Sequence, residues 1–241
     1  MSRLGAIAAG IVTMYTGAAA PEAVAQARTI GAYIVVDFHS KKIFSASRAG
    51  EERPVASLTK IANAMVALDW VQATGADLGQ LAVVPGSAAA IGGPNQMGLR
   101  PGDRISLRDA LYCAIIGSDN WAAETIALHV GRDLLRRSGG RGTPVGKFVE
   151  EMNNLSAKLG AEGTKFTNPH GMDHQRPVPH STAADIARLT IYAMGKPAFT
   201  FYCSQKERKV TVHTATGERE FLVKNTNRLL GVDGIDGVKT G

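Results

Sequence analysis

Two β-rich runs, A-Y-I-V-V-D-F and K-I-F-S-A, stand either side of H-S-K and predict a hairpin over residues 32–46. From Ser57 the apolar positions change period: Leu58, Ile61, Ala62, Met65 and Leu68 follow helical spacing and predict a buried helix. Residues 73–104 carry Gly and Pro punctuation around short apolar pieces, ending in L-R-P-G-D, and predict loops with short strands. Ser106 begins S-L-R-D, a capping box ahead of an apolar helix that reaches Ile116 and stops at Gly117. A second helical pattern starts at Asn120, with Trp121, Ala122, Thr125, Ile126, His129 and Val130 on one face. Further helices fit residues 145–159 and 182–194, the latter opened by T-A-A-D. From Phe199 the pattern returns to strands: F-T-F-Y-C, R-K-V-T-V, then E-F-L-V after the turn T-A-T-G-E. Strands at both ends and helices between them predict an α+β fold, with one antiparallel sheet formed from both chain ends and an inserted helical subdomain.

Composition adds little to this picture. Over 241 residues, 44% are hydrophobic and 20% charged, as in an ordinary soluble globular domain. The net charge of +6 is scattered. Its densest cluster, Arg132, Arg136, Arg137 and Arg141, lies beside S-G-G-R-G without interleaved aromatics. That is a solvated helix end, so no nucleic-acid partner is expected. The first residues change the picture more: Arg3, an apolar stretch over 4–14, then small residues with A-x-A sites. The stretch is shorter than the roughly 20 residues that span a bilayer, so residues 1–25 read as a cleaved export signal ahead of a single domain, 26–241. Two cysteines make no disulfide framework. Cys113, in A-L-Y-C-A-I-I, reads as a small buried hydrophobe, and pairing with Cys203 is left open.

Candidate chemistry starts at V-A-S-L-T-K, residues 55–60, where Ser57 and Lys60 stand three apart at the head of the first helix. That spacing puts the amine within reach of the hydroxyl. Serine is a poor nucleophile until a base takes its proton, and lysine can be that base only if burial or nearby cations lower its pKa. About one S-x-x-K is expected by chance in a chain of this length, so the motif carries weight only in company. The company is Ser118-Asp119-Asn120, at the turn between two helices, and Lys239-Thr240-Gly241, after G-V-D-G-I-D-G-V. Class A β-lactamases and penicillin-binding proteins share this trio.

Beyond the trio, from Tyr33 to the last residue, the chain resembles the serine D-alanyl-D-alanine carboxypeptidases, the low-molecular-mass penicillin-binding proteins. The matching pieces are V-V-D-F, R-P-V-A-S-L-T-K, M-G-L-R-P-G-D, F-T-N-P-H-G-M, S-T-A-A-D-I-A-R-L, and N-T-N-R-L-L-G leading to D-G-V-K-T-G. Asp119 departs from the glycine that many of these carboxypeptidases carry at that position and matches the β-lactamase form.

The resemblance implies a β-lactamase/DD-peptidase-like fold and a role for each matched residue. Ser57 is then the nucleophile, Lys60 its general base and Ser118 a proton relay. Asn120 holds the substrate backbone, and Lys239, Thr240 and Gly241 form the carboxylate-binding strand. The implied substrates are peptidoglycan stem peptides ending in D-Ala-D-Ala, with β-lactams as covalent inhibitors and no cofactor or metal, in the periplasm or cell envelope of a bacterium. A zinc reading of His170, His174 and His180 fails because Pro169, Gly171, Pro177 and Pro179 break the helix that would align them. The resemblance also implies further strands and a helix after K-T-G, with the second oxyanion donor and any membrane anchor among them. The sequence is therefore expected to be an incomplete form of a longer enzyme. Two rival readings are a β-lactamase-like hydrolase, which would turn penicillin over rapidly, and a catalytically silent protein that binds wall peptides.

Overall fold

The computed structural model describes residues 31–174 and 176–241; the expected export signal, 1–25, lies outside the described residues. In chain order the strands are β1 (Tyr33–Val36), β2 (Ile43–Ser47), β3 (Arg53–Pro54), β4 (Leu81–Val83), β5 (Arg104–Ser106), β6 (His180–Ser181), β7 (Glu207–Thr214) and β8 (Gly217–Lys224). The helices are α1 (Thr59–Thr74), α2 (Leu107–Ile115), α3 (Asn120–Arg137), α4 (Pro144–Lys158), α5 (Ala183–Met194) and α6 (Pro197–Cys203). Short 3₁₀ turns occupy Ala56–Leu58 and Gly86–Ala90.

The expected α+β class holds, and its organising element is α1. This helix touches all five others and is buried on every side through most of its length. The predicted stripe Leu58, Ile61, Ala62, Met65 and Leu68 is buried, but so are the polar residues Thr59, Lys60 and Asn63 on the other faces. A helix wrapped all round must find partners for its polar side chains, and Lys60 Nζ and Asn63 Nδ2 find them across the core, whereas Thr59 Oγ1 and Asn63 Oδ1 have none among the described residues.

Capping explains where the surrounding helices start. Ser106 Oγ accepts the Asp109 N–H at 3.0 Å, Thr143 Oγ1 accepts Gly146 N–H at 3.0 Å, and Thr182 Oγ1 accepts Asp185 N–H at 3.0 Å. Asp119 Oδ1 does the same for Ala122 N–H at 2.8 Å and so launches α3.

Two expectations need correction. The segment F-T-F-Y-C is helical, not a strand. Pro197 fits the first turn of α6, and Phe199, Tyr202 and Cys203 are buried at helical spacing while Phe201 is 58% exposed. Aromatic content suggested β structure; the spacing of the buried positions decides for helix.

Nor does one sheet join both chain ends among the described residues. β1 pairs only with β2, β3 pairs with β6, and β4-β5-β7-β8 form a separate four-stranded antiparallel sheet. After β8 the chain leaves the ladder, with Thr226 N–H donating to Ile116 O at the end of α2. The K-T-G segment is then held by side chains, Thr226 Oγ1 to Thr240 Oγ1 at 2.7 Å and Asn227 Nδ2 to Gly237 O at 2.8 Å. A strand exists only by pairing, and this segment spends its hydrogen bonds on side chains.

Helices α3 and α4 meet at Gly131, where a Cβ would lie 2.0 Å from the Pro144 carbonyl oxygen and 3.3 Å from Phe148 Cβ. Glycine to alanine in an open helix interior gains about 0.5–1 kcal/mol. Here the backbone contact reverses the sign, and Gly131→Ala is expected to cost about 1–3 kcal/mol in urea denaturation. Gly50→Ala, with open space around it, should stay within about 0.5 kcal/mol of the parent.

Candidate active site

Ser57 lies in the 3₁₀ turn that feeds α1, and the residue before it, Ala56, has φ 46°. A positive φ at alanine is strained and needs support from its surroundings. The turn presents Ser57 at the edge of solvent, while Lys60, one turn on, is 0% exposed. Lys60 Nζ has three oxygen neighbours: Asn120 Oδ1 at 2.7 Å, His170 O at 2.8 Å and Ser57 Oγ at 3.1 Å. Burial, and then the charge of Lys239, pull the Lys60 amine well below the usual lysine range, with Asp119 acting in the opposite sense. Once neutral, the amine has two N–H bonds, for Asn120 and His170, and a lone pair left for the Ser57 hydroxyl.

The S-D-N turn supplies the facing wall. Ser118 has φ 58° and is buried, and Lys239 Nζ donates to its Oγ at 2.8 Å and to Thr240 O at 2.7 Å. Part of Lys239 reaches solvent, yet burial among its neighbours lowers its amine to about 7. Gly241 rests against the serine turn: a Cβ there would meet Leu58 Cγ at 3.2 Å. All seven residues singled out by the sequence thus come together, six of them in two hydrogen-bonded halves and Gly241 packed against the serine turn. Ser57, Lys60 and Asn120 form one, and Ser118, Lys239 and Thr240 form the other, with the S-D-N turn joining them.

Residues 16–241 match the family model described as D-alanyl-D-alanine carboxypeptidase, peptidase S11. The chain belongs to this family. The chain is 31% identical to D-alanyl-D-alanine carboxypeptidase DacD of Escherichia coli over 220 residues, covering 88% of this chain and 51% of the relative. It therefore spans about half the length of that curated relative. Among solved structures, a point mutant of a Streptomyces DD-transpeptidase aligns with a TM-score of 0.75 at 25% identity, covering 87% of this chain and 79% of that one. A D-alanyl-D-alanine carboxypeptidase from Mycobacterium tuberculosis aligns with a TM-score of 0.70 at 28% identity, covering 87% and 72%.

Several positioning groups in this family member carried no sequence signal beyond being ordinary amides. Asn63, on α1, is fully buried and donates to Ala123 O at 3.0 Å and Pro169 O at 3.1 Å. Asn168 Oδ1 accepts the N–H groups of His170 and Gly171, and its Nδ2 donates to Met172 O at 2.8 Å. Together they fix the 168–172 loop so that the His170 carbonyl meets Lys60. The glycine of N-P-H-G was the one legible clue. A Cβ on Gly171, at φ 89°, would sit 1.8 Å from Ala56 O, so only glycine lets this loop touch the serine turn.

The His170 ring stays neutral, lowered to about 3 by burial first, then by Lys60 and His174. Its Nδ1 accepts the Met172 N–H at 3.2 Å. Cys113 and Cys203 are both buried and both free.

The depressed lysines make stability depend on pH with a defined sign. For Lys239 the window runs from about 7 in the folded protein to 10.5 in the unfolded chain. Within it the unfolded chain binds more protons, so this contribution to stability rises with pH. Lys60 acts in the same direction. Lys239→Met removes one contribution and, by relieving repulsion, weakens the other. Urea denaturation at pH 7, 8 and 9 should therefore show a smaller rise of stability with pH in Lys239→Met than in the parent.

Proposed function

We propose that this domain is a serine-type D-Ala-D-Ala carboxypeptidase, exported to the cell envelope, that removes the terminal D-alanine of peptidoglycan stem peptides. The observation that carries the reading is the buried amine of Lys60, 3.1 Å from Ser57 Oγ, with acceptors already in place for its other N–H bonds. Such an amine is a base where an exposed lysine would be an acid.

In this mechanism Ser57 Oγ forms a bond to the carbonyl carbon of the penultimate D-alanine as its proton passes to Lys60. The Ser57 N–H, in the turn ahead of α1, faces the oxyanion. The terminal carboxylate lies against Lys239 and Thr240, which accounts for selection of a free C-terminus. Asn120, its Oδ1 engaged by Lys60, retains an N–H for the substrate backbone. When the tetrahedral species collapses, the C–N bond breaks. Ser118 gives its hydroxyl proton to the leaving amine and recovers one from the lysine pair. D-alanine departs, and water then attacks the ester at Ser57, which regains its proton as the shortened peptide leaves. A β-lactam carries an amide and a carboxylate in the same relation and acylates the same hydroxyl.

The deciding experiment is the intact mass of the protein before and after benzylpenicillin, with release of D-alanine from an N-acylated peptide ending in D-Ala-D-Ala followed in parallel. One stable adduct, absent from Ser57→Ala, is expected. Lys60→Met should slow acylation by roughly 100- to 10,000-fold, the usual worth of a positioned base. Rapid penicillin turnover without a lasting adduct would move the assignment to a β-lactamase-like hydrolase. A folded protein that neither forms an adduct nor releases D-alanine would overturn the enzyme reading.

A further inference from the structure

Asp119 is fully buried between two residues of the site, and the proposed mechanism gives it no step. As a helix cap it needs one oxygen, and Oδ1 fills that role with Ala122 N–H. The other oxygen is engaged as well: Oδ2 accepts the N–H of Gln96 at 2.8 Å, from the loop over residues 92–97. The Gln96 side chain returns to the turn and donates to Gly117 O at 2.7 Å. The neighbouring Asn120 adds two more ties to this loop, its N–H to Pro94 O at 2.9 Å and its Nδ2 to Gly92 O at 3.1 Å. The loop is in close contact here. A Cβ on Gly93 would lie 2.4 Å from Asn120 Nδ2 and 3.1 Å from Met172 Sδ.

These contacts set the orientation of one amide. Asn120 turns Oδ1 to Lys60 and Nδ2 to Gly92 O. The reversed amide would put its NH₂ against the Lys60 amine, donor against donor, and its oxygen against a carbonyl. A carbonyl at Gly92 therefore selects the useful orientation, provided the loop that carries it stays in place.

We propose that Asp119 is a positioning residue for acylation: its second carboxylate oxygen pins the 92–97 loop, and the loop holds Asn120 with its oxygen on Lys60 and a free N–H toward the substrate. The inference rests on the carboxypeptidase reading above. It gives the middle residue of the tripeptide a part in the chemistry that a glycine there could not take.

Asp119→Asn separates the two duties of the side chain. Asparagine caps a helix as well as aspartate, so α3 keeps its start, but its NH₂ then confronts the Gln96 N–H. The second-order rate of acylation by benzylpenicillin, counted per folded molecule, is expected to fall roughly ten- to a hundred-fold, the scale of a small misplacement in a site. The hydrolysis rate of the acyl-enzyme, once formed, should change much less. Gln96→Ala keeps the backbone N–H that Asp119 accepts but removes the loop's second tie, the side-chain bond to Gly117 O; by loosening the same loop it should give a smaller fall in the same direction, and it covers the case in which Asp119→Asn does not fold. In an Asn120→Ser background the Asp119→Asn effect should largely vanish, because the group it acts through is gone. Parent-like acylation in both single variants overturns the proposal, as does full additivity with Asn120→Ser. Absence of acylation in the parent protein would instead sink the carboxypeptidase reading, so the two failures are distinguishable.

Discussion

The structure is arranged around an amine that has no access to water. Lys60 sits in the first turn of α1, the helix that all the others enclose, and an unpaired charge there would cost several kcal/mol. Two responses are possible, to supply acceptors or to give up the proton, and the fold makes both. Asn120 Oδ1 and the His170 carbonyl take the amine's N–H bonds, and desolvation together with Lys239 favours the neutral form. These acceptors come from a helix start and from a loop more than a hundred residues from Lys60 in sequence. The placement of α3 and of the 168–172 loop is thus tied to one nitrogen.

Two of the strained backbone positions serve the same demand. Ala56 and Ser118 both hold positive φ, one just before Ser57 and the other at the facing serine. Left-handed backbone at a residue with a Cβ costs roughly 1–2 kcal/mol. It persists because each neighbourhood is over-determined. Leu58 N–H returns to Val55 O below the serine turn, and Asp119 N–H returns to Cys113 O behind Ser118. Gly171 closes against the Ala56 carbonyl from the other side. Each sharp turn swings a hydroxyl toward an amine, Ser57 to Lys60 and Ser118 to Lys239.

How far the sequence could be read follows from how local each signal is. Ser57 and Lys60 share a helix turn, so their meeting could be argued from spacing, and the caps at Ser106 and Thr182 obey rules that act within three residues. Asn63 and Gln96 left no mark because an amide that serves a loop far along the chain looks like any surface amide until the loop is in view, and Asn168 stood within the matched F-T-N-P-H-G-M piece without a role of its own. The segment at Phe199 misled for a related reason: its residue types favour strand, and only the burial of positions 199, 202 and 203 reveals the helix. The sheet expected to join both ends depended on a pairing that no local pattern encodes.

The two lysines also constrain each other. Lys239 lowers Lys60 through space, and burial has brought Lys239 itself to about 7, where it is only partly charged. In the proposed mechanism a substrate carboxylate arrives at Lys239, favours its protonated form and offsets its charge. The repulsion felt at Lys60 then depends on the carboxylate and the ammonium as a pair. A neutral chain end would leave Lys239 partly charged and uncompensated, and Lys60 a weaker base. Selection for a free carboxylate would then act twice, once as contact with Lys239 and Thr240 and once as a field at the amine that must accept the Ser57 proton.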